Sequence, residues 1–342
     1  MSRSATRLLS RAASAVLDPT VVLSFDRTGF LRHAAGFRAR DLDVDLDGRT
    51  CLVTGANSGI GHQIALELAL RGASVWLLCR DRGRGDAARR AIAEADPECQ
   101  VRLAVVDVAD LASVRRFAAS FAPPRVDVLV HNAGVLPDAR TATADGIETT
   151  FATSVVGPFL LTGLLLPKLR AAPDARVVTV SSGGMYPQRL DLDDLGWKKR
   201  PFDGVLAYAN TKRAQVVLNE SWARRLTGTS ITFSAMHPGW ADTPAVRTSI
   251  PRFYAVTKRI LRTPSQGADT AVWLAACARL AGRTGLFWFD RKPRATHVFP
   301  WTHERRGDRQ RLWSLCCQLT GLDAETLGDT TAVRRSHPTA AR

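Results

Sequence analysis

The sequence predicts a single α/β domain, doubly wound, on a mostly parallel seven-stranded sheet. Three observations carry that expectation. From Thr50 onward short apolar runs alternate with helical runs without a break in rhythm. Strictly alternating β and α segments imply parallel strands joined by right-handed crossovers. The apolar runs are continuous rather than alternately polar, as strands must be when helices cover both sheet faces. Between the first strand-like run and the first helical run stands the octapeptide Thr54-Gly55-Ala56-Asn57-Ser58-Gly59-Ile60-Gly61.

Taken in order, residues 1–48 precede the first strong strand and read as an N-terminal strap. Arg3, Arg7 and Arg11 interleave with Leu8, Leu9, Ala12 and Val16, a spacing suited to a basic amphipathic helix. A secretory signal would need a continuous apolar core, which this stretch lacks; a transit peptide or a weakly membrane-associated surface segment stays open. Phe25, Phe30 and Phe37 are aromatic anchors, and residues 41–46 alternate acidic with apolar, like a short edge strand or an extended strap. Strands are then predicted at 50–53, 74–78, 101–106, 127–130, 176–180 and 231–236, with a seventh at 286–289. Helices are predicted at 60–71, 84–95, 111–120, 149–170, 205–226 and 265–278. The domain proper spans 49–290. Residues 291–329 read as a C-terminal extension with a short helix, and 330–342, rich in Thr, Ala and Arg, as a disordered tail.

The chain carries 47 basic and 32 acidic residues, a net charge of +15. That excess sits at the ends: seven arginines face two aspartates in residues 1–40, and ten basic residues face five acidic ones in 291–342. Two basic termini suit a solvated surface or weak attraction to anionic lipid better than a specific nucleic-acid reading head. The six cysteines show no CxxC spacing and no paired histidine ligands, so neither a metal site nor a disulfide framework is expected. A reducing, cytoplasmic compartment is the simple reading. No run of 18 apolar residues exists; the most apolar stretch, 155–166, ends at Pro167 and suits either a homo-oligomer face or the core.

The octapeptide points to a dinucleotide. Glycine adopts φ > 0 and lets a backbone approach bulky charge, while the following helix offers a positive dipole end and unpaired amides. Gly55, Asn57, Ser58, Gly59, Ile60 and Gly61 therefore form a candidate pyrophosphate cradle of a Rossmann-type domain. At the end of the second strand a carboxylate would accept from a ribose hydroxyl, whereas an arginine would pair with a 2′-phosphate. Arg80 comes first there, before Asp81, which favours NADP(H) over NAD(H), the latter remaining open through Asp81. Asp107-Val108 closes the third strand, where a carboxylate can meet the adenine. The small residues of Asn132-Ala133-Gly134 close the fourth and leave room for a flat ligand.

Tyr208 and Lys212 are four residues apart on a predicted helix and share a face. A free tyrosine is a poor base at a pKa of about 10, but a fixed ammonium beside it lowers that value and fits it for acid/base work at a carbonyl or alcohol oxygen. Ser181-Ser182 ends the fifth strand, 26 residues before Tyr208 in the case of Ser182, and can offer a hydroxyl to the same oxygen. Pro238-Gly239 ends the sixth, and Thr243 follows on the nicotinamide side.

In this order, Thr-Gly-x-x-x-Gly-x-Gly, Asp-Val, Asn-Ala-Gly, Ser, Tyr-x-x-x-Lys and Pro-Gly, the chain resembles the short-chain dehydrogenase/reductase family over roughly residues 48–290. The resemblance implies Tyr208 as acid/base, Lys212 lowering its pKa and holding the nicotinamide ribose, and Ser182 orienting the substrate oxygen. It also places Ser154 where the family usually has an asparagine serving a water-linked proton relay; serine is shorter and lacks the amide's paired donor and acceptor. His131 stands where the family often has another asparagine. Two segments, 183–207 and 240–262, are expected to wall a site for a small lipophilic ketone, aldehyde or secondary alcohol, with Met185, Tyr186, Leu190, Leu192, Leu195, Trp197, Phe202, Trp240, Ile250, Phe253 and Tyr254 as aromatic and aliphatic lining or as loop packing. The competing reading is an NADP(H)-binding sensor or scaffold with little catalysis.

Overall fold

A computed structural model describes residues 21–328. The N-terminal segment opens with two short helices, α1 (Val21–Phe25) and α2 (Arg27–Ala34). Asp26 separates them because its carboxylate accepts from Gly29 N at 2.8 Å and so starts α2. Residues 41–46, read as a strand or strap, form no strand. A 3₁₀ turn at Ala39–Leu42 leads into irregular chain, because Asp41 turns inward to the Trp273 indole and the Arg279 guanidinium. The basic pattern of residues 1–18 and the tail from 330 lie outside the described residues.

The core alternates as expected: β1 (Thr50–Thr54), α3 (Gly59–Ala69), β2 (Ser74–Cys79), α4 (Arg82–Ala95), β3 (Val101–Val105), α5 (Leu111–Ser120), β4 (Val128–His131), α6 (Thr149–Arg170), β5 (Ala175–Val180), α7 (Gly204–Arg225) and β6 (Ile231–Met236). Two short helices, α8 (Pro244–Ser249) and α9 (Pro251–Thr257), precede α10 (Pro264–Ala276), β7 (Leu286–Phe289), β8 (Lys292–Arg294) and α11 (Asp308–Thr320). The strand order is β3-β2-β1-β4-β5-β6-β7-β8, parallel except for the last pair. The order reverses between β1 and β4, so their carboxyl ends frame the crevice where such sheets take ligands. Helices α3, α4 and α10 cover one face through Ile64, Leu68, Ile92 and Trp273; α5, α6, α7 and α11 cover the other through Val114, Phe159, Trp222 and Trp313.

The sheet has eight strands rather than seven. Asp290 and Arg291 both take positive φ (47° and 58°) between β7 and β8, as a two-residue hairpin turn of the primed type requires. Neither is glycine. Tertiary contacts hold them instead: Asp290 is clasped by Arg262, and Arg291 pairs with Asp269 and lies over the Phe37 ring.

Helix α6 is long and apolar enough to cross a bilayer, but 83% of its most apolar stretch is buried inside the molecule. Stretch 155–166 is therefore core. Helix α11 lies over it, with Trp313 edge-on to Phe159 and Trp222 at 5.0 and 4.7 Å. A homo-oligomer would have to use another surface.

Candidate active site

The glycine turn leaves β1 with Gly55 at φ +64° and enters α3 through Gly59 at φ +56°. Gly61 has no room for a Cβ, which would stand 2.3 Å from Asn132 Nδ2 and 2.4 Å from Gly55 O. Ser58 occupies the N-cap position of α3 without bonding any first-turn amide. Asp26, Asp81, Asp110, Asp203, Thr243 and Thr263 all cap their helices with side chains. The first-turn amides of α3 are thus left for an anion, which fits a pyrophosphate.

Asn132 braces this turn. Its Nδ2 donates to Thr54 O at 3.0 Å and Gly55 O at 3.2 Å, while Thr54 Oγ1 accepts from the backbone N–H of Asn132 and Ala133. Asp107 folds one carboxylate oxygen back on Ala109 N at 2.9 Å, and Val108 beside it is buried, its carbonyl filling the space that a side chain on Gly157 would need. At the end of β2, Asp81 is spent on capping α4, accepting from Arg84 N at 2.8 Å, while Arg80 is exposed.

Ser181 and Ser182, equivalent in the sequence pattern, separate here. Ser181 Oγ turns away and donates to the backbone carbonyl of Lys212 at 2.9 Å. Ser182 Oγ accepts from Gly184 N at 3.1 Å and lies on the side of the Tyr208 hydroxyl, close enough to favour its ionised form. Lys212 is buried, donates to Val180 O at 2.9 Å and lies 5.2 Å from the centre of the Tyr208 ring. Helix α7 presents both because Asp203 caps it and Gly204 lets its first turn press on Pro137 O.

Burial raises the Tyr208 pKa, the Ser182 hydrogen bond only partly offsetting it, and lowers that of Lys212 to about 7. The lowered phenol pKa expected from sequence is therefore not what this geometry yields. Desolvation makes the charged form of each group the costlier one. An unfolded lysine titrates near ~10.4. The full desolvation cost of the ammonium is thus present below pH 7 and is relieved as pH rises toward the unfolded value. Lys212→Met is expected to melt above wild type at pH 6 by several degrees, the gap closing toward pH 10. Thermal melts of both proteins across that range check it.

Ser154 sits in a π-helical turn (Ala152–Val156) of α6, fully buried, with Oγ unpartnered. Its Oγ and Lys212 Nζ both lie within 4 Å of the point where a Cβ on Gly134 would stand. The π turn frees the Ser154 carbonyl, which accepts from Gln215 Nε2 at 2.8 Å. A cavity of about 30 Å³ behind it also collects the unpartnered atoms His131 Nδ1, Gln215 Oε1 and Asn219 Oδ1. Its size and polarity suit one or two waters. Burial holds His131 neutral, its pKa down to about 3, with Nε2 on Thr162.

Three functional side chains carry no signal in the sequence. His237, neutral for the same reason at about 3, accepts on Nδ1 from both Gly183 N and Gly239 N, tying the Ser182 turn to Pro238-Gly239. Arg262 fills the space beside Gly239, whose φ is +76° and whose Cβ would meet Arg262 Nε at 2.2 Å. Arg213 donates to the carbonyls of Met185, Gln188 and Thr296. Thr243 caps α8 through Oγ1 and brings its methyl close to Gly59 of the glycine turn. Of the expected lining, Met185, Leu190 and Trp197 are buried and pack the loop down. Tyr186, Leu192 and Leu195 are half-buried and pack against the core, while Phe202, Trp240, Ile250, Phe253 and Tyr254 are half-buried on the surrounding loops.

The family model described as short chain dehydrogenase matches residues 49–252. A bovine (Bos taurus) protein, dehydrogenase/reductase SDR family member 12, is 44% identical over 276 residues, 80% of this chain and 86% of its own. Human (Homo sapiens) retinol dehydrogenase 13 is 36% identical over 296 residues, 82% of this chain and 87% of its own. Among solved structures, an uncharacterized protein from Mycobacterium Paratuberculosis superposes with a TM-score of 0.65 at 34% identity, covering 81% of this chain and 95% of that one.

Proposed function

The chain belongs to the short-chain dehydrogenase/reductase family, oxidoreductases of CH–OH and C=O groups, and from that premise we propose that it is an NADP(H)-dependent enzyme for lipophilic ketones, aldehydes or secondary alcohols. The observation that carries the reading is the meeting of Tyr208, Ser182 and Lys212 beside an uncapped helix end that fits a pyrophosphate. Gly55, Asn57, Ser58, Gly59, Ile60 and Gly61 would hold the pyrophosphate, Arg80 the 2′-phosphate, Asp107 and Val108 the adenine, and Ala133, Gly134, Pro238, Gly239 and Thr243 the nicotinamide half. The bound cofactor supplies the hydride chemistry.

The chain's own residues supply the proton and the geometry. Ser182 orients the substrate oxygen and Tyr208 gives or takes its proton. Burial opposes a lone phenolate and a lone ammonium, but a proton passed from Tyr208 to Lys212 leaves neighbouring opposite charges that stabilise each other. Ser154 and Gln215, with water in the cavity behind them, keep polar atoms close to Lys212. The lipophilic assignment rests on the half-buried aromatic lining and on the likeness to a protein named as a retinol dehydrogenase. A cytoplasmic location fits six free cysteines.

Fluorescence titration with NADPH and NADH, followed by a screen of lipophilic ketones and aldehydes, tests the reading. Tight NADPH binding with no turnover across the screen would favour the sensor alternative. The cofactor preference has its own test. Asp81 is committed to α4, so Arg80→Ala is expected to weaken NADPH binding at least tenfold and NADH binding less than threefold, consistent with loss of one charge-assisted contact to a phosphate. Equal losses for both cofactors would remove Arg80 from the 2′-phosphate.

A further inference from the structure

The catalytic reading makes no use of residues 21–34, yet these are fastened to both sides of the cleft. On one side the Phe25 ring presses on Gly183, the residue after Ser182: a Cβ on Gly183 would lie 2.6 Å from Phe25 Cε2. On the other, Trp240 N donates to Phe25 O at 2.8 Å. The Phe25 ring stands edge-on to His237 at 4.2 Å and to Trp240 at 6.1 Å.

Arg262 is the fastener. It is 1% exposed, and its Nε donates to Phe25 O at 2.9 Å and Asp26 O at 3.1 Å, while Nη2 donates to Ser24 O at 2.9 Å. Its two terminal nitrogens also clasp Asp290 at 2.6 and 2.8 Å. Asp290 in turn contacts His33 Nδ1 at 2.6 Å, which closes the lock on the same N-terminal segment. Burial alone would raise the Asp290 pKa, but His33 and Arg262 together hold it below the usual carboxylate range. A buried network of this kind adds little net stability against an apolar replacement; its effect is to fix relative position. What it positions is one aromatic ring.

We propose that residues 23–34 complete the substrate pocket and that Phe25 is a specificity-determining residue, limiting on the Ser182 side the length of the apolar group that a carbonyl substrate can carry. The proposal rests on the oxidoreductase reading above. Phe25 as a residue is half-buried, and its ring also meets Tyr186 and Phe289 at 6.4 and 5.1 Å. Gly183, lacking a side chain, is what lets that ring press against the turn that follows Ser182. A phenyl ring with two rotatable bonds, held by its own backbone carbonyl, makes a stiff wall.

The test compares wild type with Phe25→Ala and Phe25→Leu on 2-alkanones from 2-hexanone to 2-dodecanone, with NADPH affinity measured alongside by fluorescence titration. Expected is an unchanged NADPH Kd, within twofold, and a ratio of kcat/KM for 2-dodecanone over 2-hexanone that rises at least tenfold in Phe25→Ala and by less in Phe25→Leu, through KM. Should the alanine variant fail to fold, the leucine variant decides alone, a twofold or greater rise in the ratio being required. An unchanged ratio in a variant that still binds NADPH overturns the proposal. Loss of NADPH affinity in step with turnover also overturns it, since that marks general structural support. A wild-type enzyme that reduces neither these ketones nor the n-alkanals of the same lengths, and oxidises none of the corresponding secondary alcohols, sinks the oxidoreductase reading, and the role of Phe25 falls with it.

Discussion

Tyr208→Phe is expected to lower turnover about 10²–10⁴-fold on any carbonyl the wild type reduces, with NADPH affinity unchanged, the range typical of removing a positioned acid/base. The substitution deletes one oxygen and keeps the ring. The ring packing over Lys212 at 5.2 Å and the α7 helix that carries both residues stay as they are. What disappears is the hydroxyl beside Ser182. Ser182 cannot take over the proton, because an alcohol is too weak an acid. Steady-state kinetics paired with fluorescence titration separates the two quantities, and full turnover by the variant would remove Tyr208 from the mechanism.

Arg213→Met is expected to destabilise the fold by about 3–5 kcal/mol, the range seen when a buried charged partner is removed from its network. Arg213 is fully buried. Its three nitrogens donate to Gln188 O at 3.0 Å, Thr296 O at 2.8 Å and Met185 O at 2.9 Å. Methionine fills most of the volume and donates nothing, so the buried Met185 carbonyl loses its partner at a cost of about 1–3 kcal/mol, and the part-buried Gln188 and Thr296 carbonyls add smaller losses to that of the guanidinium's own packing. At about 2–4 °C per kcal/mol for a chain of this size, the melting temperature falls by roughly 10 °C. The same carbonyls belong to the loop after Ser182 and to the C-terminal extension, so KM rises more than kcat falls. A lysine at 213 offers one nitrogen for three acceptors in fixed directions and recovers only part of the loss. A melting point within about 2 °C of wild type would show that the loop is held by something else.

Much of this architecture is legible in the order of residues. Continuous apolar runs such as 176–180 and 231–236 can only be strands covered on both faces, and the alternation with helices dictates parallel pairing. The glycine turn is legible because glycine takes φ of +64° and +56° without strain, and because only glycine permits an approach as close as that of Gly61 to Asn132. Tyr208 and Lys212 are legible because four residues along a helix is a local distance. The eighth strand is not. Its turn uses Asp290 and Arg291 in a backbone conformation that favours glycine and asparagine, and it is stable only because Arg262 and Asp269, distant in the chain, grip those two side chains. Residues 41–46 mislead for the same kind of reason: Asp41 leaves the alternating pattern to reach Trp273 and Arg279.

At the site, the division follows the range of the interactions. The cradle, the Tyr208–Lys212 pair and the order of strand ends around them are written into the chain, because each depends on contacts within one turn, one helix or one strand. Folding settles which of two adjacent serines faces Tyr208, consumes Asp81 as a helix cap, and brings His237, Arg213 and Arg262 to hold the cleft together. It also sets the direction of the Tyr208 pKa, which depends on how completely water is excluded from the phenol rather than on which residues lie near it in the chain. Hydrogen bonds between segments more than two hundred residues apart, such as Arg262 to Phe25, leave no periodicity or spacing to read, since only folding brings their atoms within reach.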